Sequence, residues 1–245
     1  SFFADKGWLF GILLASAVAL VIIGGIKSIA NAASRIVPSM AGLYLLSALT
    51  ILMLSIDKID DALNLIIQSA FGLGSFTGGA IGALIIGFQR SAFSNEAGMG
   101  TASIAHSAVE TDEPISEGLV SLLEPFIDTM IICTLTSLVI ITTLYTNDPS
   151  LGNLEGIAIT SAAFAFHIDW FPVILGIAAL LFAFSTAIAW AYYGLKSWTY
   201  IFGESRGSEL VFKMIFCLFV CLGCMIKLSA VLDFSDAMVF VIAVP

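Results

Sequence analysis

The residues best suited to chemistry sit in one short stretch. Arg90, Ser91, Ser94, Asn95 and Glu96, followed by Gly98 and Gly100, fall between positions 90 and 100 of a run that is otherwise apolar, GGAIGALIIGFQRSAFSNEAGMGTASIAHSAV from Gly78 to Val109. Hydroxyl, amide and carboxyl groups next to glycines are the materials of a binding site for a small polar solute. Glu124 and Asp128 lie four apart in the next apolar run and share one helix face. A charge at the centre of a spanning helix costs about 2.5–3.5 kcal/mol even on lenient scales, so Arg90, Glu96, Glu124 and Asp128 need partners, an interface or a wet cavity. Two readings of Arg90, Glu124 and Asp128 stay open: a functional ion pair in which Arg90 answers one acid while Glu96 caps or cross-links the break, or a structural pair that locks two helices. Ser185 and Thr186, adjacent within another long apolar run, could give hard oxygen ligands to a small cation. On residues alone, such hydroxyls more simply bond back to a carbonyl one turn earlier.

Other constellations carry less. Cys217, Cys221 and Cys224 match an iron–sulfur spacing but share one face of an apolar helix, which is helix packing; with Cys133 they read as small hydrophobes. His106 and His167 have no metal-ligand spacing. Ser94 and His106 do not share a helical face, which leaves an intramembrane protease as a distant reading. Gly74, Gly78 and Gly82 have the spacing of close helix contact. No phosphate-cradling loop is present.

The elements that must position these residues are membrane helices. The chain is 59% hydrophobic and only 11% charged, against about 25% charged in a soluble domain. Its mean hydropathy is +1.05. The net charge of −9 offers nothing to nucleic acid, and no cofactor signature is present. A straight helix from 78 to 109 would be about 48 Å long, well over the roughly 30 Å hydrocarbon core. The polar, glycine-bearing middle from Arg90 to Gly100 therefore predicts two half-helices joined by unwound chain. Such backbone persists at membrane depth only inside protein or beside a cavity, and transporters use it to bind substrates.

Around this discontinuous helix the sequence predicts spans at Trp8 to Ile26, Ile36 to Ile56 (opening on Val37-Pro38), Gly118 to Leu144, Pro172 to Phe202, Glu209 to Leu228 and Asp233 to Pro245. A turn at Asp57 to Asp61 leads to a short interfacial or re-entrant helix, Ala62 to Phe71, and then to a flexible glycine-rich stretch, Gly72 to Gly79. The longest connection, Tyr145 to Trp170, carries an apolar piece at Ile157 to Phe166 that is expected at the surface. Lys27 and Arg35 mark one joint and Lys196, Arg206 and Lys213 another. Threading the spans puts both joints on one side, with Lys6, Lys58 and Lys227 opposite, and five charges against three make the first side cytoplasmic. The whole chain, 1–245, is expected to be one transmembrane domain and the C-terminal part of a longer protein.

The stretch Phe93-Ser-Asn-Glu-Ala-Gly-Met-Gly100, with Ala105-His106 and Thr111-Asp112 after it, resembles the signature of the alanine/glycine:cation symporter family. Phe126-Ile-Asp-Thr129, Cys133-Thr-Leu-Thr136, Gly24-Gly-Ile-Lys27 and Val37-Pro38 extend the likeness over essentially the whole chain. It departs at Thr101-Ala102-Ser103, where the family commonly has Ser-Ala-Pro, and at Glu113, where it often has His.

The resemblance implies an all-α integral membrane protein, part of a leucine-transporter-like inverted-repeat bundle. This chain would supply about the fourth to tenth helices, and its partner would be the N-terminal repeat of the same chain. It implies a secondary symporter in the bacterial or archaeal cytoplasmic membrane, importing alanine or glycine with sodium, or a proton, as coupling ion. Phe93, Ser94, Asn95, Glu96, Gly98 and Gly100 would bind substrate, the second half-helix starting near Ala97. Ser185 and Thr186 would bind sodium. The alternatives are a same-fold carrier of another small solute, and a channel or non-transporting membrane sensor.

Overall fold

The computed structural model describes residues 7–71, 79–96, 99–145, 154, 156–226, 230–232, 234–235 and 237–238. The expected span from Asp233 to Pro245, most of Gly72 to Gly79, Gly74, Gly78 and Gly98 lie wholly or largely outside them. Among the described residues every regular element is helical: α1 Gly7–Ile23, α2 Gly25–Leu54, α3 Ile59–Phe71, α4 Ile81–Asn95, α5 Thr101–His106, α6 Pro114–Tyr145, α7 Ile157–Ala165, α8 Phe171–Phe202 and α9 Arg206–Gly223. Of these, α2, α6 and α8 are long and apolar enough to cross a membrane.

The first two spans are divided differently from the expectation. Only a turn at Gly24 separates α1 from α2, and α2 runs 30 residues with Pro38 inside it. The stretch holding Lys27 and Arg35 is thus helix rather than joint. Proline removes one backbone hydrogen bond, but in a long apolar helix the bonds on either side keep it whole. The short helix expected at Ala62 to Phe71 is present as α3, which begins three residues earlier and follows a 3-10 turn at Ile56–Lys58. The span expected at Pro172 to Phe202 is α8. The one expected at Glu209 to Leu228 starts earlier, at Arg206, because the Ser205 side chain caps the backbone N–H of Ser208.

The described chain forms two compact units, the first of residues 1–40, 103–108 and 179–245 and the second of 41–102 and 109–178. In the first, Val18 and Ile22 of α1, Ile29 of α2 and Ile188, Ala191 and Tyr192 of α8 form a buried cluster, and Ile104 of α5 packs on it. Helix α1 lies along α9 at very close range. A Cβ added at Gly11 would come 2.7 Å from the carbonyl oxygen of Cys221, and one at Gly7 2.8 Å from that of Cys224. The cysteine face of α9 is a helix-packing face, as its spacing predicts.

In the second unit, the Tyr44 ring stacks on Phe164 at 5.8 Å between centroids and its hydroxyl bonds to that of Thr136. Phe164 is 0% exposed, so α7 is part of the core and not a surface piece. The reason is packing: α7 lies against the Thr134–Ile140 part of α6 and buries Ala163 with it. Ser55 Oγ meets His167 Nε2 at 2.6 Å and ties the turn after α2 to the end of α7.

Candidate functional site

The interruption between α4 and α5 is present and is shorter than the polar stretch suggests. Arg90, Ser91, Ser94 and Asn95 are all helical, and α4 continues to Asn95. The helix stops at Glu96, which holds φ 54 and ψ 13. Among the described residues Glu96 is the only non-glycine with positive φ. The left-handed region suits a helix C-terminus but costs a residue with a Cβ roughly 1–2 kcal/mol. Gly100, at φ 87, takes a second left-handed position without that cost. The amide of Met99 donates to the carbonyl of Glu96 across the break.

The second half-helix starts at Thr101, not near Ala97, and ends at His106 rather than running on towards Val109. Six residues add few aligned peptide dipoles. The polar character of the break therefore rests on open backbone and side chains more than on a helix dipole.

Helix α6 supplies the facing wall. Directly after Pro125, which has no N–H to close an ordinary turn, the chain winds as π-helix from Phe126 to Cys133. Such wide turns are rare and frequent at functional sites. Two consecutive residues of α4 meet two consecutive residues of this segment: Ser94 Oγ donates to Asp128 Oδ2, and Asn95 Nδ2 donates to Thr129 Oγ1 at 2.9 Å. Ser94 Oγ also lies 3.7 Å from Cys133 Sγ. The partner given to Asp128 is thus a hydroxyl. Arg90 lies one turn before Ser94 on α4, and Glu124 lies just before Pro125. The Phe93 side chain, like Gly98, is outside what is described.

Thr101 is the residue that sequence reasoning passed over. It is 9% exposed, and its hydroxyl is the one fully buried side-chain polar atom among the described residues with no hydrogen-bond partner. Its position directly after the last glycine of the motif was the available signal. A buried hydroxyl without a partner costs about 1–3 kcal/mol, which makes it a candidate to receive a guest.

The cation candidates belong to the first unit. Ser185 is 8% exposed, and its Oγ donates to the Phe182 carbonyl at 3.0 Å and lies 3.6 Å from Met40 Sδ. That is the bond back along the helix that the residues alone suggest. Thr186, next to it, is exposed.

Long apolar helices, one broken among polar groups and braced by a π-helical wall, define the class: a multi-pass helical membrane protein with a carrier-like interruption. The profile of the sodium:alanine symporter family matches residues 1–245. The chain belongs to that family, whose members are transporters of the cytoplasmic membrane. It is 39% identical over 236 residues to the sodium/alanine symporter AgcS of Methanococcus maripaludis, covering 96% of this chain and 52% of that protein. It is 40% identical over 185 residues to the amino-acid carrier protein AlsT of Bacillus subtilis (75% and 39%), and 34% identical over 228 residues to the probable sodium/glutamine symporter GlnT of the same organism (92% and 47%). The chain spans about half the length of these relatives or less.

Proposed function

We propose that the protein to which this chain belongs is a secondary symporter that moves a small neutral amino acid, alanine or glycine, into the cell with sodium. The observation that carries this reading is the break at Glu96 to Gly100, flanked by Asn95 on one side and by the unpartnered Thr101 hydroxyl on the other. Open backbone and amide and hydroxyl groups there are matched to the carboxylate and ammonium of a zwitterion. Phe93, Ser94, Asn95, Glu96, Gly98 and Gly100 form the substrate side of the site. Asp128 and Thr129 hold Ser94 and Asn95 in place, and Arg90 and Glu124 supply supporting charge. Sodium is held by Ser185 and Thr186 together with groups of the remaining chain, in a leucine-transporter-like inverted repeat. For Ser185 this requires its hydroxyl to leave the Phe182 carbonyl. The ion favours the outward-facing arrangement, so its downhill entry drives uphill entry of the amino acid.

The test is sodium-gradient-driven uptake of labelled alanine by the full-length protein in proteoliposomes. Loss of uptake in Asn95→Ala, and a raised sodium requirement in Thr186→Ala, are expected. If both variants transport like the parent protein, these site assignments fall. A same-fold carrier of another small solute is the second reading, supported by the relative named for glutamine. Competition by glycine, serine and glutamine separates the two. A channel would pass current without fixed stoichiometry, and a sensor would bind alanine without moving it.

A further inference from the structure

We propose that the first unit carries a headgroup site for an anionic phospholipid, at a groove formed by the α1–α2 turn, the C-terminal half of α8, and α9. The groove is a cavity of about 170 Å³ lined by Ile22, Ile26, Tyr192, Leu195, Lys196 and Lys213, among others. That is room for a phosphodiester and its glycerol carbons, and less than the roughly 300–1,000 Å³ of a pocket for a larger organic ligand. Both lysines reach it from separate helices. Residues 191, 192, 195 and 196 form one face of α8, so Lys196 projects from the same stripe as the apolar lining.

The two ammonium groups are short of acceptors. Lys213 has a side chain only 16% exposed, and its Nζ stands 3.9 Å from the Glu209 carboxylate, an ion-pair distance beyond hydrogen-bond reach. Lys196 Nζ lies 5.9 Å from the centre of the Tyr192 ring and has no carboxylate within ion-pair distance among the described residues. Among the described residues Glu209, 41% exposed, is the only acid paired to the cluster, so the groove keeps a positive excess. Lys196 is exposed, but Lys213 is a largely buried cation without a hydrogen-bonded acceptor, and a phosphate oxygen relieves that cost with a charge-assisted bond. The surface at the groove is apolar, with the lining residue Ile26 and nearby Ile23 both exposed, as suits acyl chains. Charge and apolarity in this order match a phospholipid and not a soluble anion. Lys196, Arg206 and Lys213 flank the joint between α8 and α9, and the positive-inside rule assigns such a basic joint to the cytoplasmic leaflet, where anionic lipids attract basic groups between helices.

The experiment uses the full-length protein in mild detergent, incubated with phosphatidylglycerol or with phosphatidylcholine of the same acyl chains, and native mass spectrometry reads retained lipid. The parent protein is expected to retain phosphatidylglycerol over phosphatidylcholine. Lys196→Gln with Lys213→Gln lowers retention about 30-fold, at about fivefold for each charge. Lys58→Gln leaves it unchanged. The arginine pair, Lys196→Arg with Lys213→Arg, keeps retention. Ile26→Trp, which fills the groove and spares both charges, lowers it, and so separates a shaped site from a charged surface. Equal retention of the two lipids, or no loss in the glutamine pair, overturns the proposal. Displacement of the lipid by free glycerol phosphate overturns it too, in favour of a soluble anion.

Discussion

The hydroxyl of Ser94, in the last turn of α4, donates to a carboxylate oxygen of Asp128 in the π-helical part of α6. One residue on, Asn95 donates to Thr129. These paired bonds fix the end of α4 against α6 just before the backbone opens. Bonds of a neutral donor to a charged acceptor are worth about 1.5–3 kcal/mol, more than a neutral pair. In a cycle of Ser94→Ala, Asp128→Asn and both together, followed by thermal unfolding of the full-length protein in detergent, the double variant is expected to lose about 0.5–3 kcal/mol less than the sum of the singles. Strict additivity would mean that the two side chains do not support each other.

Asn95 and Thr129 are predicted to differ in kind. Asn95→Ala removes a proposed substrate contact and should reduce alanine uptake at least tenfold, equivalent to about 1.4 kcal/mol. Thr129→Val removes only the partner that orients Asn95. It should raise the KM for alanine a few-fold and leave the maximal rate near that of the parent. Equal effects on uptake would make the pair a structural brace.

Thr101→Val tests the unpartnered hydroxyl. Valine keeps the shape and removes the buried polar group, so the substrate-free protein is expected to gain about 1–2 kcal/mol of stability. Uptake of alanine should fall in the same variant. A gain in unfolding temperature together with unchanged uptake would show that the hydroxyl receives no guest.

At Glu96 the prediction is a separation of backbone from side chain. Glycine takes the left-handed conformation more easily, so Glu96→Gly relieves about 1 kcal/mol of strain at this position. Transport should still drop if the carboxylate belongs to the site. Wild-type uptake with a glycine at 96 would reduce the role of this residue to ending α4.

The close approach of α1 to α9 makes a purely structural prediction. Gly11→Ala places a Cβ 2.7 Å from a backbone oxygen that cannot turn away, and is expected to cost about 1–3 kcal/mol. Gly207→Ala, at the start of α9 with nothing within 4 Å, serves as the control. Unfolding temperatures of the two variants in detergent give the comparison. Matching values would mean that α1 and α9 separate freely.

Composition and spacing by themselves determined that this chain is an apolar helical membrane protein and that the helix near position 96 is interrupted, while the FSNEAGMG run carried a resemblance to a symporter family. These are one-dimensional properties: hydropathy averaged along a span, glycine within a polar run, a motif in register. The polar run read as a longer break than it is, since Arg90 to Asn95 keep helical hydrogen bonds that sequence polarity does not report. Pro38 read as the opening of a helix and lies inside one, because a long span tolerates the loss of a single bond.

Only the tertiary structure decided which partner meets Asp128, that Thr101 is buried without one, and that lysines from two helices converge on the turn between α1 and α2. Ser94 and Asp128 are 34 residues apart. Whether such groups touch depends on how two helices are rotated and wound against each other, here through a π-helical segment, and local periodicity does not encode that rotation.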